Sequence, residues 1–179
     1  MNNIRINIIS RIAEDKNFFI DLLYAIAFLR REKKIDVKLN FIGAIYNYTI
    51  FNTLKRFIIV SGIDDLVSFT EKSIPISEIS KSSNDYYLNF SIGNFIGYSG
   101  IEATKNGFNT LFYNVDFDYD KQQYESIIFL SGLEDFIQIL ISLNVDKNKI
   151  DELIQLGNKD LAKQLLLDEE TETKLLSLI

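Results

Sequence analysis

The sequence contains no cysteine and no histidine among its 179 residues. Without cysteine the chain has no disulfide framework and no thiolate chemistry. Without histidine it has no histidine general base, no Ser-His-Asp triad and no histidine-based metal site. These classes of enzyme and metal site are therefore excluded.

The chain also lacks a long apolar run and a basic leader. Its longest apolar stretch, residues 18–29, is interrupted by Asp21 and is shorter than the ~20 residues that cross a bilayer. The first residues, MNNIRIN, show neither the basic head nor the apolar block of a signal peptide. We therefore expect a cytoplasmic location, with membrane contact only through a partner.

Positive charge is in deficit, with 19 lysines and arginines against 25 acidic residues and a net charge of −6. Electrostatic attraction to nucleic acid should be weak at this balance, so no nucleic-acid partner is expected. Hydrophobic residues make up 47% and charged residues 25%, which is ordinary for a globular protein. The length predicts a single domain over residues 1–179.

Apolar strand patterns alternate with helical patterns along the chain. Strands are predicted at residues 4–10, 37–42, 66–69, 86–92, 111–115 and 124–130. Helices are predicted at residues 17–34, 46–61, 76–81, 99–107 and 134–143, with two closing helices at 146–156 and 160–178. This alternation predicts an α/β fold, a doubly wound, Rossmann-like parallel sheet with helices on both faces.

Residues 85–116 read as strand, glycine-rich turn, short helix and strand. The pattern is interrupted within eight residues by three glycines: Gly93, Gly97 and Gly100. Ser99 and Glu102 have the spacing of a capping box, which predicts that the helix begins at Ser99 and ends near Asn106 and Gly107. Unpaired N–H groups at such a helix start bind anions, so this segment is the best candidate for a phosphate-bearing ligand.

Four loops should meet at one crevice, because ligands of doubly wound folds bind at the carboxyl ends of the strands. They are the loop RIAEDKN, the Gly43–Ala44 turn, the Phe69–Thr70 turn and the glycine turn. The sequence therefore predicts a ligand site at this edge of the sheet.

Four segments, taken in their order and spacing, resemble motifs of a known family. They are ISRIAEDKN, VKLNFIG, GIDDLVSF and NFIGYSGIEATKNGFNTLFYNVD. They are similar to the elements G-R-L…K-G, L-x-I-x-G, G-L-x-D-x-V-x-F and E-G-F-G-L…E-A-x-x-x-G-x-P-V-I. The chain thus resembles, over nearly its whole length, the C-terminal donor-binding half of GT-B-fold retaining glycosyltransferases of the group 1 type.

The resemblance implies a UDP- or GDP-sugar as ligand, with no cofactor and no metal. Arg11 and Lys16 match the basic pair that holds the diphosphate and stabilises the leaving nucleoside diphosphate, and Glu102 matches the acid that binds the ribose hydroxyls. The other matched donor-binding positions are Asn94, Ile96, Gly97, Tyr98 and Ser99. Alternatively, the two cations are ordinary surface residues of a loop and the glycines form a plain tight turn.

Two departures from the family pattern keep two functions open. Asn94 stands where the family has a glutamate that contacts the donor sugar, and Phe95 replaces a glycine at which backbone approaches the ligand. The first hypothesis is a nucleotide-sugar-binding domain of a hexosyltransferase in bacterial polysaccharide or glycolipid synthesis. The alternative is a degenerate, non-catalytic domain that acts as a scaffold or partner subunit.

An acceptor-binding N-terminal domain, in cis or in trans, is implied by the same resemblance, because this chain starts at the first strand of the donor half. We therefore expect the isolated chain to be inactive. We also expect the crevice face to expose apolar side chains that the partner half would cover: Phe95, Ile96 and Tyr98.

Asp116, Asp118 and Asp120 form a D-x-D-x-D pattern that is similar to a calcium loop or to the metal-binding D-x-D of the other glycosyltransferase fold, which would need a different order of strands. The sixth position is Lys121 instead of glycine, and Glu125 comes too early for the ligand at the twelfth position. A solvated acidic loop is therefore the interpretation we favour, with no metal site.

Overall fold

The computed structural model describes residues 4–14, 18–122 and 124–165. Within these ranges six parallel strands form one sheet, in the order β3-β2-β1-β4-β5-β6. The strands are β1 (Arg5–Ile9), β2 (Lys38–Ile42), β3 (Val67–Phe69), β4 (Asp85–Ile92), β5 (Asn109–Val115) and β6 (Phe129–Leu130). The order reverses between β1 and β4, so the predicted doubly wound, Rossmann-like fold is confirmed.

Five α-helices accompany the strands in the described ranges. They are α1 (Phe19–Phe28), α2 (Tyr48–Val60), α3 (Tyr98–Lys105), α4 (Leu133–Val145) and α5 (Lys147–Leu165). A π-helical turn, Leu29–Lys33, continues α1, and a short 3₁₀ turn, Ile76–Glu78, replaces the helix expected over residues 76–81. No helix of the described residues is long and apolar enough to cross a bilayer.

The larger core lies between one face of the sheet and helices α1, α2 and α4. Alternate strand residues point into it, because successive side chains of a strand face opposite sides. Its fully buried members include Ile6, Ile8, Tyr86, Leu88 and Leu111. Smaller clusters on the second face join β4, β5 and β6 to α3 and α5. The sheet is therefore covered by helices on both faces around β4 and β5.

Over β1, β2 and β3 the second face carries a row of polar side chains instead. Asn7, Asn40 and Ser68 occupy the same register on the three strands. The Asn40 amide donates to the Asn7 side-chain oxygen at 3.2 Å, and the Ser68 hydroxyl donates to the Asn40 side-chain oxygen. The connection from β3 to β4 contains a 3₁₀ turn and no α-helix, so no crossover helix covers this part of the sheet. The hydrogen bonds along the row satisfy the polar groups there.

The prediction of two closing helices was wrong, because α5 runs without interruption through Gly157. A Cβ at Gly157 would lie 2.5 Å from the Ser126 carbonyl oxygen, so this glycine allows close packing and does not end a helix. The next residue, Asn158, exchanges two hydrogen bonds with the backbone of Thr110, at 2.7 and 3.0 Å. The helix therefore docks on the start of β5. The predicted helix residues 166–178 lie outside the described ranges.

The last strand was also predicted too long. Residues 124–130 were expected to form it, but only Phe129 and Leu130 pair with β5. Tyr124 accepts a hydrogen bond from the Ile127 backbone N–H in a turn, and Ser126 contacts Asp160 of α5. The apolar residues of this segment are therefore buried by a turn packed on α5 and need no longer strand.

Candidate functional site

The two central strands separate toward their carboxyl ends. Pairing of β1 with β4 stops at Asn7 and Tyr87, whereas β1 pairs with β2 as far as Ile9, and β4 pairs with β5 as far as Ile92. The space between them is a cavity of about 80 Å³ whose lining includes Ser10, Tyr87 and Ser99. A crevice therefore opens where the strand order reverses, which is where doubly wound folds bind ligands.

The loops after β1 and β2 are joined by backbone hydrogen bonds on one side of this crevice. Ile12 donates to the Ala44 carbonyl at 3.0 Å, and the Tyr46 N–H donates to the Ile12 carbonyl at 2.9 Å. Gly43 makes the approach possible, since a Cβ there would lie 2.6 Å from the Ser10 carbonyl carbon. The two loops thus form one unit at the carboxyl edge.

Arg11, one of the two predicted cations, lies on this unit. It lines a groove of about 390 Å³ together with Ala13, Glu14, Tyr46 and Asn47. The Asn47 side chain caps α2 by accepting from two backbone N–H groups, and its amide donates to Glu14 at 3.2 Å. These contacts fix the rim of the groove around Arg11. Lys16, the second predicted cation, lies outside the described residues.

The glycine turn is held from below by Asn114 of β5. The Asn114 amide donates to the carbonyls of Gly93 and Phe95, each at 2.9 Å. Gly93 adopts a positive φ of 62° and donates its N–H to the Val115 carbonyl at 2.7 Å. Among the described residues, the buried Asn114 side-chain oxygen has no hydrogen-bond partner. The hydrogen bonds from the Asn114 amide and from the Gly93 N–H therefore fix the conformation of this turn on β5.

Asn94 is engaged in a second clamp on the same turn. Its amide donates to the Asp118 carbonyl at 2.9 Å, and its side-chain oxygen accepts from the Asp118 N–H at 3.0 Å. Both ends of the side chain are thus bonded to one backbone segment. Contact of this side chain with a donor sugar stays a prediction, and would require rearrangement of the clamp.

Helix α3 begins differently from the prediction. Gly97 is its N-cap, with no side-chain cap, and Tyr98 is its first residue. The Ser99 hydroxyl instead donates to the side-chain oxygen of Asn89 on β4, at 3.2 Å. The predicted capping box of Ser99 and Glu102 was therefore wrong. The predicted helix end is confirmed by Asn106 at the C-cap.

Ser99 also meets Tyr87, whose hydroxyl lies under the helix. Burial raises the pKa of Tyr87 to about 12, with the Ser99 hydrogen bond opposing the rise and the Glu102 charge adding to it. The half-buried Glu102 therefore lies near enough to act on the same hydroxyl. Ser99 thus lines the crevice, while Gly97 caps the same helix and Glu102 lies one turn further along it.

The exposure expected of three turn residues is correct for two of them. Phe95 is 69% exposed and Tyr98 78% exposed. Ile96 is only 7% exposed, because its side chain packs on Phe112 and Leu161 of the second face. The prediction for Ile96 was therefore wrong, and a glycine-rich turn buries one of its apolar residues.

The acidic loop after β5 is organised by local contacts. Asp118 accepts a hydrogen bond from the Asp120 backbone N–H and forms an ion pair with Lys121 at 2.8 Å. The hydrogen bond from Lys121 lowers the pKa of Asp118 below its ordinary value. Within the described ranges no three acidic side chains are grouped so as to hold a metal ion.

Several residues that shape the crevice were not identified from the sequence: Asn89, Asn114, Tyr87, Tyr46 and Asn47. Two of them are asparagines inside otherwise apolar strands. An amide in such a strand must find hydrogen bonds when buried, so it indicates a structural contact even without a motif.

A strand-order reversal with a crevice at the carboxyl ends defines the class of doubly wound ligand-binding domains. Solved structures of GT-B glycosyltransferases share this fold at low sequence identity. HepE of Anabaena, solved in complex with UDP and glucose, matches with a TM-score of 0.67 at 13% identity, over 99% of this chain and 49% of HepE. TarM of S. aureus, in a complex that includes UDP, matches with a TM-score of 0.68 at 14% identity, over 99% of this chain and 36% of TarM.

A third solved structure is itself a single domain. The C-terminal domain of LpcC, a group 1 family glycosyltransferase of Francisella tularensis, matches with a TM-score of 0.62 at 15% identity. The match covers 90% of this chain and 85% of that one. The present chain thus spans about half of HepE and about a third of TarM. No protein-family model and no curated protein matches the sequence.

Proposed function

We propose that this chain is the nucleotide-sugar-binding domain of a glycosyltransferase, and that it holds a UDP- or GDP-sugar at the carboxyl ends of β1 and β4, along the groove beside Arg11. The observation that carries the proposal is the separation of these strands beside Arg11 and the start of α3. The fold shared with HepE, solved with UDP and glucose, supports it. The predicted cytoplasmic location and single-domain organisation are part of the proposal.

In this proposal the diphosphate lies at the start of α3. The N–H groups of Gly97, Tyr98 and Ser99 head a helix, where backbone donors and the helix dipole favour an anion. Arg11 and Lys16 supply the positive charge that stabilises the departing nucleoside diphosphate.

Three further positions complete the proposed donor site. Glu102, one turn into α3, accepts from the ribose hydroxyls. Asn94 and Ile96 meet the donor through their backbone groups, because the Asn94 amide is bonded to Asp118 and the Ile96 side chain is buried. No metal or cofactor enters this scheme.

Calorimetry with UDP and GDP tests the proposal. We expect one of them to bind, and Arg11→Ala to weaken it by ~1.5–3 kcal/mol because a hydrogen bond to a charged group is lost. Lys16→Ala should act in the same direction. Arg31→Ala is the matched control, since Arg31 lies at the opposite edge of the sheet beside Glu32. Absence of heat and of any thermal shift with both nucleotides would refute the proposal.

The acceptor, in this proposal, is held by a second domain in cis or in trans, within bacterial polysaccharide or glycolipid synthesis. The 179 residues alone should then transfer no sugar. Holding a nucleophile beside the anomeric carbon is worth ~7–11 kcal/mol of barrier, and the donor site cannot replace that positioning. A transfer assay with labelled donor and purified chain checks this. Turnover without a partner would contradict it.

A non-catalytic scaffold is the second candidate. It is favoured by the Asn94 clamp on Asp118 and by the exposed Phe95 of the glycine turn. The two candidates differ when an N-terminal partner domain is supplied. Sugar transfer in its presence supports the enzyme, whereas nucleotide binding without transfer supports the scaffold.

A further inference from the structure

We propose that Asn89 is a positioning residue that presents the backbone N–H groups at the start of α3 to the diphosphate. The inference rests on the proposed nucleotide site and assigns to it a residue that touches no ligand. Asn89 lies on β4, is 1% exposed and sits directly under the first turn of the helix.

The hydrogen bonds of Asn89 connect the helix to the strand. Its side-chain oxygen accepts from the Ser99 hydroxyl at 3.2 Å, and its amide donates to the Ser91 hydroxyl at 3.1 Å. Ser99 in turn meets the buried Tyr87 hydroxyl. The second residue of α3 is therefore held by a buried polar network on β4.

Two glycines shape the first turn around the same side chain. A Cβ at Gly97 would lie 3.1 Å from the Asn89 side-chain oxygen, and a Cβ at Gly100 would lie 2.7 Å from its Cγ. Neither glycine has a positive φ that would by itself require glycine. The absence of a side chain at these two positions therefore allows the helix start to lie close to the Asn89 amide, which is expected if this short distance serves to position the helix.

Asn114 holds the turn that precedes α3, as Asn89 holds the start of the helix. It binds the carbonyls of Gly93 and Phe95 from the neighbouring strand, in register with Ser91. Two buried amides on adjacent strands thus hold consecutive parts of one turn-helix unit. Apolar side chains could be buried at these positions at a lower free-energy cost, because a buried amide loses its hydrogen bonds to water and must replace them within the protein. We infer that the two amides are present because they fix the orientation of the turn and of the helix start.

The test compares UDP with uridine, which differs by lacking the diphosphate. Asn89→Asp keeps the side-chain shape and the acceptor for Ser99 but adds a negative charge that itself repels a diphosphate, so Ser99→Ala, which removes the contact without adding a charge, is measured beside it. We expect a tenfold or greater loss of UDP affinity, with uridine affinity unchanged within twofold. Protein-detected NMR titration measures both weak and tight binding and reports on folding at the same time.

The matched control is Asn158→Asp, at a second buried amide that bonds the Thr110 backbone at the other end of β5. It should lower stability while leaving both affinities unchanged within twofold. Ser99→Ala removes only the helix side of the contact and adds no charge, so it decides whether the loss seen with Asn89→Asp comes from positioning, and it replaces Asn89→Asp if that variant does not fold. A several-fold loss for UDP and none for uridine is then expected.

The outcomes separate the inference from the function on which it rests. Folded variants that weaken UDP and uridine equally, or weaken neither, overturn the positioning role while nucleotide binding by the unaltered protein stands. Failure of the unaltered protein to bind UDP or GDP refutes the proposed function, and the positioning role with it.

Discussion

The two edges of the sheet are built from different interactions. At the amino edge, charged side chains pair with one another: Arg30 with Asp36 and Asp65, Lys147 with Asp151, and Arg5 with Asp85. The buried Tyr86 hydroxyl adds a hydrogen bond to Asp151 at 2.6 Å. This edge is therefore closed by side-chain contacts.

At the carboxyl edge, backbone groups and amides hold the loops together. The Ile12–Ala44 hydrogen bond, the Asn47 cap and the two hydrogen bonds from the Asn114 amide all fix main-chain segments. The four most exposed aromatic side chains of the described residues also lie here: Tyr46, Tyr48, Phe95 and Tyr98.

If the proposed nucleotide site is correct, the amino edge serves stability and the carboxyl edge serves ligand recognition. Ion pairs at the amino edge connect elements of the fold, whereas a scaffold of backbone and amide contacts leaves aromatic surface available at the other edge. We therefore expect substitutions at the amino edge to change stability alone, and substitutions at the carboxyl edge to change ligand binding as well.

Gly43→Ala should have the largest effect of the substitutions considered, and should affect both properties. The added Cβ would meet the Ser10 backbone, which cannot rotate away as a side chain can. We expect a loss of about 3 kcal/mol in the free energy of unfolding, the upper end of typical overpacking costs, together with loss of nucleotide binding. Urea unfolding and calorimetry measure the two effects.

Gly132→Ala is the control for that experiment. Its backbone is extended, with φ at −171°, and no atom lies within 4 Å of an added Cβ. Because Gly132 is the N-cap of α4, where alanine is less favourable than glycine, the free energy of unfolding should fall by about 1 kcal/mol, well below the loss for Gly43→Ala. Equal losses for the two variants would contradict the role given to Gly43.

Asp151→Ala at the amino edge should lower stability without changing nucleotide affinity. It removes the acceptor of the Tyr86 hydroxyl and the partner of Lys147. A buried donor left without an acceptor costs about 1–3 kcal/mol. Denaturant unfolding tests the loss, with the exposed neighbour Glu152→Ala as control. A matching fall in nucleotide affinity would show that the two edges are coupled after all.

The sequence predicted the periodic parts of this molecule well. The alternation of apolar residues predicts that strand residues such as Ile6, Ile8 and Leu88 are buried, as they are. The glycine turn predicts the edge of the sheet at which the crevice lies. These features depend on local composition and period, and local features are what a single sequence carries.

The errors fall where a distant residue decides the local structure. Ser99 has the spacing of a capping box, yet its hydroxyl bonds Asn89, ten residues away on β4. Gly157 resembles a helix end, yet it marks contact with Ser126. Ile96 lies in a turn, yet the second face buries it beside Leu161. Each outcome depends on a tertiary contact that spacing along the chain does not reveal.

The smallest effect we predict belongs to the ion pair of Arg30 and Asp65. The hydrogen bond from Arg30 lowers the pKa of Asp65 in the folded state below its unfolded value. The stabilisation is therefore complete above an unfolded pKa of about 3.9 and is lost as the pH falls through the folded pKa. The side chains are 26% and 63% exposed, so solvent screening limits the pair to about 0.2–1 kcal/mol.

Asp65→Asn should therefore lower the free energy of unfolding by that small amount at pH 7, and by progressively less toward pH 3. Added salt should also reduce the difference, since exposed charges are screened. Urea unfolding of both proteins across this pH range measures it. A deficit that stays constant down to the lowest pH would contradict the electrostatic account, because a protonated Asp65 no longer offers Arg30 a charge. Unchanged nucleotide affinity of Asp65→Asn at pH 7 would support the view that ion pairs at the amino edge affect stability and not ligand binding.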